Sequence, residues 1–228
     1  MSGAIVFATR WKKRENIVAD PKQLYEAILK GDATSAKSIV EKSLAEGENP
    51  EKLVYEYMIP AMDEVGRRFE NNEYFVPELL ISARAMKGAL AIVQPRLVSQ
   101  GAKSAGVVVI GTVAGDLHDI GKNLVAAMLE GGGFTIHDLG VDVSADKFLS
   151  AIKEHQPKVL AMSALLTTTM SVMKEVVESL QADGLRDKVK VLVGGAPVTQ
   201  QFAGEIGADG YSDNAAGALR EARRWAAA

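Results

Sequence analysis

The hydrophobic positions of this 228-residue chain repeat with two different periods, one in each half. In residues 20–97 the apolar side chains recur three and four positions apart, which predicts amphipathic helices. Asp20-Pro21 and Asn49-Pro50 each place a capping side chain before a proline, a sequence typical of helix starts. We therefore expect four helices with short connections, arranged as an antiparallel bundle.

Two prolines should shape the later helices of this bundle. Pro60 lies inside the pattern of the third helix and should kink it, because proline has no N–H group and its ring crowds the carbonyl four residues earlier. The fourth helix should begin at Pro77 and end near Pro95, with Leu80 among its inward-facing side chains.

The second half alternates between short apolar runs and helical repeats, which is the pattern of β-α units. Continuous apolar runs rich in β-branched residues are typical of strands that are buried on both faces. Five such units predict an open, doubly wound parallel sheet of the flavodoxin or Rossmann-like kind, which binds ligands at the carboxyl ends of its strands. The expected strands are Val107–Ile110, Phe134–Leu139, Val159–Met162, Val189–Val193 and Gly210-Tyr211.

The two patterns meet at residues 98–105, a segment of mostly small and polar residues that we interpret as a linker. The expected organisation is an N-terminal extension of residues 1–19, a helical domain of residues 20–97 and a sheet domain of residues 106–228. The predicted fold class is thus α plus α/β, with a four-helix bundle followed by a five-stranded, doubly wound parallel sheet.

Composition narrows the functional classes. The chain has no cysteine, which excludes a disulfide framework, an iron–sulfur cluster, a thiolate zinc site and a cysteine nucleophile. The formal net charge of −3 argues against broad nucleic-acid binding. No apolar run approaches the roughly 18 residues of a membrane helix, and the first residues lack a signal-peptide core. We expect a cytoplasmic protein with no nucleic-acid or membrane partner.

The loop after the first strand has the composition of a phosphate-binding loop but not its spacing. Five residues separate Gly115 from Gly121, whereas the motif has four, and Asn123 replaces the hydroxyl residue that would reach magnesium. A dinucleotide fingerprint is also missing. A phosphoryl receiver would need an acidic residue after the third strand, where the chain instead has Ser163-Ala164-Leu165.

His118 lies in the same loop, at the ligand edge of the expected sheet. A histidine binds a metal through one ring nitrogen while the other donates to a carboxylate, for which Asp116 is the candidate. On spacing alone, a surface histidine beside a capping Asp119 is the commoner arrangement. One histidine cannot hold a free metal ion, so a metal here should arrive in a macrocycle with His118 as axial ligand. His137 and His155 lack this setting, and His155 should be exposed at a helix end.

Three motifs, each directly after an expected strand, resemble those of cobalamin-binding proteins. Asp116–Gly121 matches D-x-H-x-x-G, Ser163-Ala164-Leu165 matches S-x-L, and Gly194-Gly195 matches G-G. The segments Glu73–Leu80 and Ser82–Met86 resemble the helical cap that precedes this domain in methionine synthase and in corrinoid proteins of methyltransferase systems.

This resemblance covers about residues 20–225 and implies a subunit of a multi-component methyltransferase system. Such a corrinoid protein carries a methyl group on cobalt between a substrate-specific methyltransferase and a second methyltransferase that uses a pterin or thiol acceptor. The implied cofactor is cobalamin or a related corrinoid, in methylcobalamin, Co(I) and Co(II) forms. It should bind base-off, with His118 as the axial ligand to cobalt. A reductive activase is a further expected partner.

The resemblance also implies roles for single residues. Asp116 and His118 should form a proton relay with Thr169, which stands where methionine synthase has a serine, and Thr167 and Thr168 are possible substitutes. The nucleotide tail of the cofactor should enter a slot at the G-G motif. The expected cofactor-binding residues of the sheet domain are His118, Asp116, Asp119, Ile120, Gly121, Ser163, Leu165, Thr167, Gly194, Gly195 and Tyr211. In the bundle, the candidates for the face over cobalt are Phe75, Val76, Leu79 and Met86, and each of them could instead belong to the bundle core.

Three other functions remain open at this point. A cobalamin-dependent sensor would share both parts, but residues 1–19 are too few for the DNA-binding domain that such proteins usually carry. The cobalamin subunit of a mutase would share the motifs without needing the bundle. A flavodoxin-like binding module would hold no metal. The upper ligand of the cofactor distinguishes these classes, since carriers use methyl whereas mutases and many sensors use adenosyl.

Overall fold

The computed structural model describes residues 22–99 and 105–227. The expected extension of residues 1–19 and most of the expected linker lie outside the described residues. A helical bundle precedes a five-stranded parallel sheet with helices on both faces, which confirms the predicted fold class. The bundle consists of α1 (Lys22–Leu29), α2 (Ala33–Ala45), α3 (Pro50–Lys52), a π-helical turn (Leu53–Met58), α4 (Ile59–Glu70) and α5 (Val76–Ser99).

The sheet has the strand order β2-β1-β3-β4-β5, and all neighbouring strands are parallel. The chain passes from β1 to β2 on one side of β1 and then crosses to β3 on its other side. Ligands of such sheets bind at the point where the direction of the connections reverses. The strand limits differ from the predicted ones by at most two residues. The elements are β1 (Val107–Thr112), α6 (Ile120–Gly131), β2 (Thr135–Asp138), α7 (Ala145–His155), β3 (Val159–Ser163), α8 (Met170–Ala182), a 3₁₀ turn (Arg186–Lys188), β4 (Lys190–Gly194), α9 (Gln200–Glu205), β5 (Gly210–Ser212) and α10 (Ala215–Ala226).

Helices of the bundle begin at capping side chains. Asp32 accepts a hydrogen bond from the backbone N–H of Ser35 at 2.9 Å, and Asn49 accepts one from Glu51 at 2.8 Å. These bonds satisfy N–H groups that have no partner inside the helix. The caps therefore fix where α2 and α3 start.

Pro60 changes the helix that contains it in a way the sequence did not reveal. The segment before Pro60 widens into the π-helical turn, in which the N–H of Ile59 donates to the carbonyl of Val54. Pro60 cannot donate and crowds the preceding turn, and a wider turn accommodates both constraints. The expected kink thus takes the form of a π-helical turn, and the helix continues as α4.

The fourth helix of the bundle differs from expectation at both its end and its buried face. α5 passes through Pro95 and ends at Ser99. Leu80 is 44% exposed, whereas its neighbour Leu79 is fully buried. The prediction of an inward-facing side chain is therefore wrong at Leu80, where the neighbouring Leu79 is buried instead.

One hydrophobic core joins the bundle to one face of the sheet. It includes Met62 of α4, Met128 of α6 and Leu219 of α10, all of which are buried. The helices approach closely, since a Cβ atom on Gly66 of α4 would lie only 3.0 Å from the Cβ of Ala216 in α10. The bundle is therefore packed onto α6 and α10.

A second core fills the other face of the sheet, beneath α7 and α8. On this side His155 is partly buried rather than exposed, and its ring stacks on that of His137 with the ring centroids 3.7 Å apart. None of the described helices combines the length and apolar character needed to cross a membrane.

Candidate functional site

A cavity of about 580 Å³ opens at the carboxyl edge of the sheet. Its inner wall is formed by buried apolar residues of β1, β3 and β4 and by the facing sides of α6 and α10. The loop that carries His118 lies at its mouth. Parallel sheets commonly bind ligands at this edge. The inner wall includes Ile110, Ala161, Leu192, Leu124, Val125 and Ala218, and the mouth includes Leu117, His118, Asp119, Ile120, Gly121 and Leu165.

The ring of His118 is oriented by the carboxylate of Asp116. His118 Nδ1 lies 2.7 Å from Asp116 Oδ1, and the backbone N–H of His118 donates to the same oxygen at 3.0 Å. Because a carboxylate only accepts, Nδ1 carries a proton, and in the neutral imidazole the lone pair is therefore on Nε2. The side chain of His118 is half exposed and lines the cavity. Nε2 is therefore available to a ligand there.

Asp116 is fully buried and shares its second oxygen with another loop. Oδ2 accepts hydrogen bonds from the backbone N–H groups of Leu165 at 2.6 Å and Leu166 at 3.2 Å. Burial raises the pKa of this carboxyl, but the hydrogen bonds from His118, Leu165 and Leu166 outweigh it and hold the pKa well below its ordinary value. Asp116 is therefore ionised at neutral pH and fixes the tautomer of His118.

Thr169 extends this buried chain of hydrogen bonds. Its Oγ1 lies 3.1 Å from Asp116 Oδ2 and 2.8 Å from the carbonyl oxygen of Leu166. The hydroxyl has one proton and donates to one of these acceptors at a time. Thr169 is buried, whereas Thr167 and Thr168 are exposed on the same loop. Thr169 is thus the threonine that contacts Asp116.

The glycine pair after β4 is required first by the packing of the protein's own loops. A Cβ atom on Gly195, whose φ is +126°, would lie 1.9 Å from the carbonyl oxygen of Ala164. A Cβ atom on Gly194 would lie 2.8 Å from the carbonyl oxygen of Ser212. Both glycines also line the cavity, together with Ser163, whose hydroxyl has no hydrogen-bond partner in the described part of the chain.

Gly121 has a different surrounding from that glycine pair. It lies in the first turn of α6, and a Cβ atom there would meet nothing within 4 Å. Because Gly121 lines the cavity beside His118, this open space is part of the mouth. A larger side chain at this position would enter the cavity without disturbing the fold.

The structure places Tyr211 and Thr167 away from the cavity. Tyr211 packs against the core on the other face of the sheet, while its neighbour Ser212 lines the cavity. Adjacent residues of a strand point to opposite faces, so only one of the two can face the ligand. Thr167 is exposed and does not line the cavity.

The bundle residues expected over cobalt do not line this cavity. Leu79 and Met86 are fully buried in the shared core and have no surface left for a ligand in this structure. Phe75 and Val76 are exposed, but neither lines the cavity. The bundle instead contributes Phe69 of α4.

Two further residues of the site escaped the sequence reasoning. The buried hydroxyl of Thr112 donates to the carbonyl oxygen of His118 at 2.8 Å and so fixes the loop. Lys122 lines the cavity with its side chain 2% exposed, and its Nζ donates to Asp138 at 2.5 Å and to Asn123 at 2.7 Å. Its position directly after Gly121, in a helix with few charges, was the available signal.

Comparison with known proteins agrees with this architecture. Residues 106–220 match the family model described as "B12 binding domain", and residues 22–94 match a second model with the same description. The chain belongs to this family of B12-binding proteins. The predicted family and the predicted cofactor are confirmed.

Relatives of this B12-binding protein match along nearly its whole length. The trimethylamine corrinoid protein 1 of Methanosarcina acetivorans is 41% identical over 212 residues, which cover 92% of this chain and 97% of that protein. A cobalamin-binding protein from Desulfitobacterium hafniense is 33% identical, with a TM-score of 0.78 over 90% of this chain and 98% of the other. A chain of the methanol:cobalamin methyltransferase complex from Methanosarcina barkeri is 31% identical, with a TM-score of 0.78 over 93% of this chain and 81% of the other.

The surroundings of His118 fit a corrinoid. Leu117 is 72% exposed and Ile120 is 76% exposed, and Leu165 adds a third exposed apolar side chain at the mouth. Such a cluster is unfavourable in water and suits the flat face of a macrocycle. Within the described residues no three His, Asp or Glu side chains could hold a bare metal ion. A corrinoid supplies its cobalt already held by the macrocycle, so it needs no such cluster.

Proposed function

We propose that this B12-binding protein carries a methyl group on cobalt between two methyltransferases, with the corrinoid bound base-off and His118 as its lower axial ligand. The observation that carries the proposal is the orientation of His118. Its Nδ1 is held by ionised Asp116, so Nε2 is the ring nitrogen that is left for a ligand at the cavity mouth. The apolar side chains around that nitrogen support the same assignment.

The partners are proposed from the relatives. One relative is named a trimethylamine corrinoid protein, and another is part of a methanol:cobalamin methyltransferase complex. We infer that a substrate-specific methyltransferase loads this chain and that a second methyltransferase passes the methyl group to a pterin or a thiol. A reductive activase would restore inactive cofactor. The match of residues 22–94 to the helical model favours a carrier over a mutase subunit, which would not need the bundle.

The chain's own residues orient the ligand and hold a proton. When bound, the corrinoid supplies a cobalt centre that accepts and releases methyl groups. Asp116 fixes the imidazole plane of His118 and stabilises the imidazolium whenever Nε2 gains a proton in place of a metal. The second oxygen of Asp116 is held by the backbone N–H groups of Leu165 and Leu166 and lies within reach of the Thr169 hydroxyl, so it remains satisfied in either state of His118.

The inner cavity would take the nucleotide tail of the cofactor. It lies between the sheet and the helices α6 and α10, and its wall is mainly apolar. The unpaired hydroxyl of Ser163 is available to a polar group of the tail. In this arrangement residues 106–228 form the cofactor-binding domain and residues 20–97 form the cap.

Electron paramagnetic resonance of the Co(II) form tests the proposal. The protein is reconstituted with cobalamin whose lower-base nitrogens are ¹⁵N. We expect superhyperfine splitting from ¹⁴N, which would identify a protein imidazole on cobalt. His118→Ala should lose that splitting, whereas His137→Ala, a histidine outside the cavity, should retain it. Splitting from ¹⁵N in the unmutated protein would overturn the assignment of His118.

A further inference from the structure

One residue of the bundle forms part of the cofactor cavity. Phe69, in the last turn of α4, lines the cavity and is only partly buried by the shared core. Asn214, Ala215 and Ala218 line the cavity at the start of α10. Because α4 packs directly on α10, Phe69 closes the cavity on the side of α10.

The residue after Phe69 ties α4 to this wall. Glu70 Oε1 forms an ion pair with Arg220 Nη1 at 2.6 Å and accepts a hydrogen bond from Asn214 Nδ2 at 3.5 Å. Asn214 caps α10, since its Oδ1 accepts from the backbone N–H of Gly217 at 2.8 Å. The hydrogen bond between Asn214 and Glu70 therefore joins the bundle to a residue that itself lines the cavity.

The contact between α4 and α10 leaves little freedom at its centre. Gly66, one turn before Phe69, lies so close to Ala216 that an added Cβ atom would be 3.0 Å away from the alanine Cβ. The last turn of α4 can leave α10 only if the Glu70–Arg220 pair breaks and Phe69 withdraws from the cavity wall. The position of the bundle and the closure of the cavity are thus linked through Phe69, Glu70 and Arg220.

We propose that Phe69 is a cofactor-retaining residue, which closes the part of the cavity that takes the nucleotide tail and is held there by the Glu70–Arg220 pair. This inference rests on the proposed function, since it needs the tail inside the cavity. Release of the cofactor then requires the last turn of α4 to separate from α10. The bundle sets the rate of release, although none of the cofactor-binding motifs lies in it.

Dissociation of cyanocobalamin, measured by rapid dilution and filtration of the loaded protein, tests this inference. Cyanocobinamide, which lacks the nucleotide tail, is the matched ligand. Phe69→Ala should release cyanocobalamin about tenfold faster, since an apolar wall of the slot is lost, and should leave cyanocobinamide release within about twofold. Tyr55→Ala removes an exposed aromatic ring of the bundle outside the cavity and should leave both rates unchanged.

A second variant tests the fastening without altering the cavity wall. Glu70→Gln should release cyanocobalamin about two- to fivefold faster at low salt, because exposed ion pairs are weak and screened. In about 1 M salt the unmutated protein should approach the variant's rate. Glu73→Gln is the control, since Glu73 pairs with Arg67 inside the bundle and not with α10.

The outcomes separate this inference from the function on which it rests. Equal acceleration of both ligands by Phe69→Ala would place Phe69 against the corrin and overturn the inference. Release at the unmutated rate by Phe69→Ala and Glu70→Gln would also overturn it, while ¹⁴N splitting in the resonance experiment would leave the proposed function standing. Cobalamin bound with its own base on cobalt would overturn both, because its tail would lie outside the cavity.

Discussion

At the scale of single residues, Asp116 joins two loops that are distant in the sequence. Its two oxygens accept from His118, Leu165, Leu166 and Thr169, so one buried carboxylate orders both the β1 and the β3 loops. The proximity of Asp116 to His118 follows from their spacing. The contacts from the β3 loop cannot be inferred from spacing, because Leu165, Leu166 and Thr169 reach Asp116 only once β1 and β3 pair in the observed register.

Gly121 offers a test of the cavity mouth that leaves the fold intact. Gly121→Val would project into open space beside His118, so we expect cobalamin affinity to fall at least about tenfold while thermal stability stays within about 1 kcal/mol of the unmutated protein. A cobalamin titration followed by visible absorbance, together with thermal melting, measures both.

Gly204→Val is the matched control for this experiment. Gly204 is also a helical glycine with nothing within 4 Å of an added Cβ atom, but it does not line the cavity. Its variant should bind cobalamin normally. Normal binding by Gly121→Val as well would contradict the location of the corrinoid.

At the scale of elements, Asp209 fixes the turn that returns the chain from α9 to β5. Its carboxylate accepts from the backbone N–H of Val191 at 2.8 Å and pairs with Lys190 at 2.9 Å and Arg186 at 2.7 Å. Burial raises the pKa of this carboxyl, but these donors outweigh it and lower the pKa below its ordinary value of 3.8. The ionised form of Asp209 therefore stabilises this turn and, through Val191, the sheet.

This pKa shift has a defined consequence for stability. Since the pKa is lower in the folded state, the contribution of Asp209 is complete above about pH 4 and is lost as the pH falls through the folded-state value. Asp209→Asn should lower the free energy of unfolding by about 1–2 kcal/mol at pH 7, and the difference from the unmutated protein should shrink below pH 4. Urea unfolding between pH 7 and pH 2 measures this difference.

Asp187→Asn serves as the control for that series. Asp187 lies in the neighbouring 3₁₀ turn and is exposed, so its replacement should shift the free energy of unfolding by less than about 0.5 kcal/mol at any pH. A difference between Asp209→Asn and the unmutated protein that grows towards acid pH would contradict the assigned direction of the pKa shift.

At the scale of the whole molecule, the bundle and the sheet share one core. Among the residues that the structure describes, three ion pairs cross the boundary, joining Lys87 to Glu130, Arg220 to Glu70 and Arg223 to Asp63. These pairs are partly exposed and contribute little each, so the buried contacts between α4, α5, α6 and α10 account for most of the attachment. The described parts should therefore unfold together.

Calorimetry tests this cooperativity. We expect a single thermal transition for the unmutated chain, and Gly66→Val should lower its midpoint and separate it into two, because the valine would push α4 away from Ala216. Gly88→Val is the control, since an added Cβ atom there meets only the flexible end of Lys37. Two transitions in the unmutated protein would show that the shared core does not couple the two parts.

Much of the fold and part of the site could be predicted from the sequence. Hydrophobic periods and capping residues place each strand within two residues and identify most helices, because these features depend on neighbours a few positions away. The motifs after β1, β3 and β4 are local in the same sense. The position of each motif directly after a strand therefore predicted that His118, Ser163 and Gly194 lie together at the carboxyl edge of the sheet, where all three line the cavity.

Tertiary structure alone decided which side chains face the cavity. Phe69 rather than Phe75 lines it, and Ser212 rather than Tyr211, because packing between distant elements selects the face of each helix and strand. The π-helical turn adds to this uncertainty, since a wider turn rotates every later position of its helix. The sequence by itself determined the elements and the chemistry of His118 and Asp116, whereas contacts between distant segments determined the wall around them.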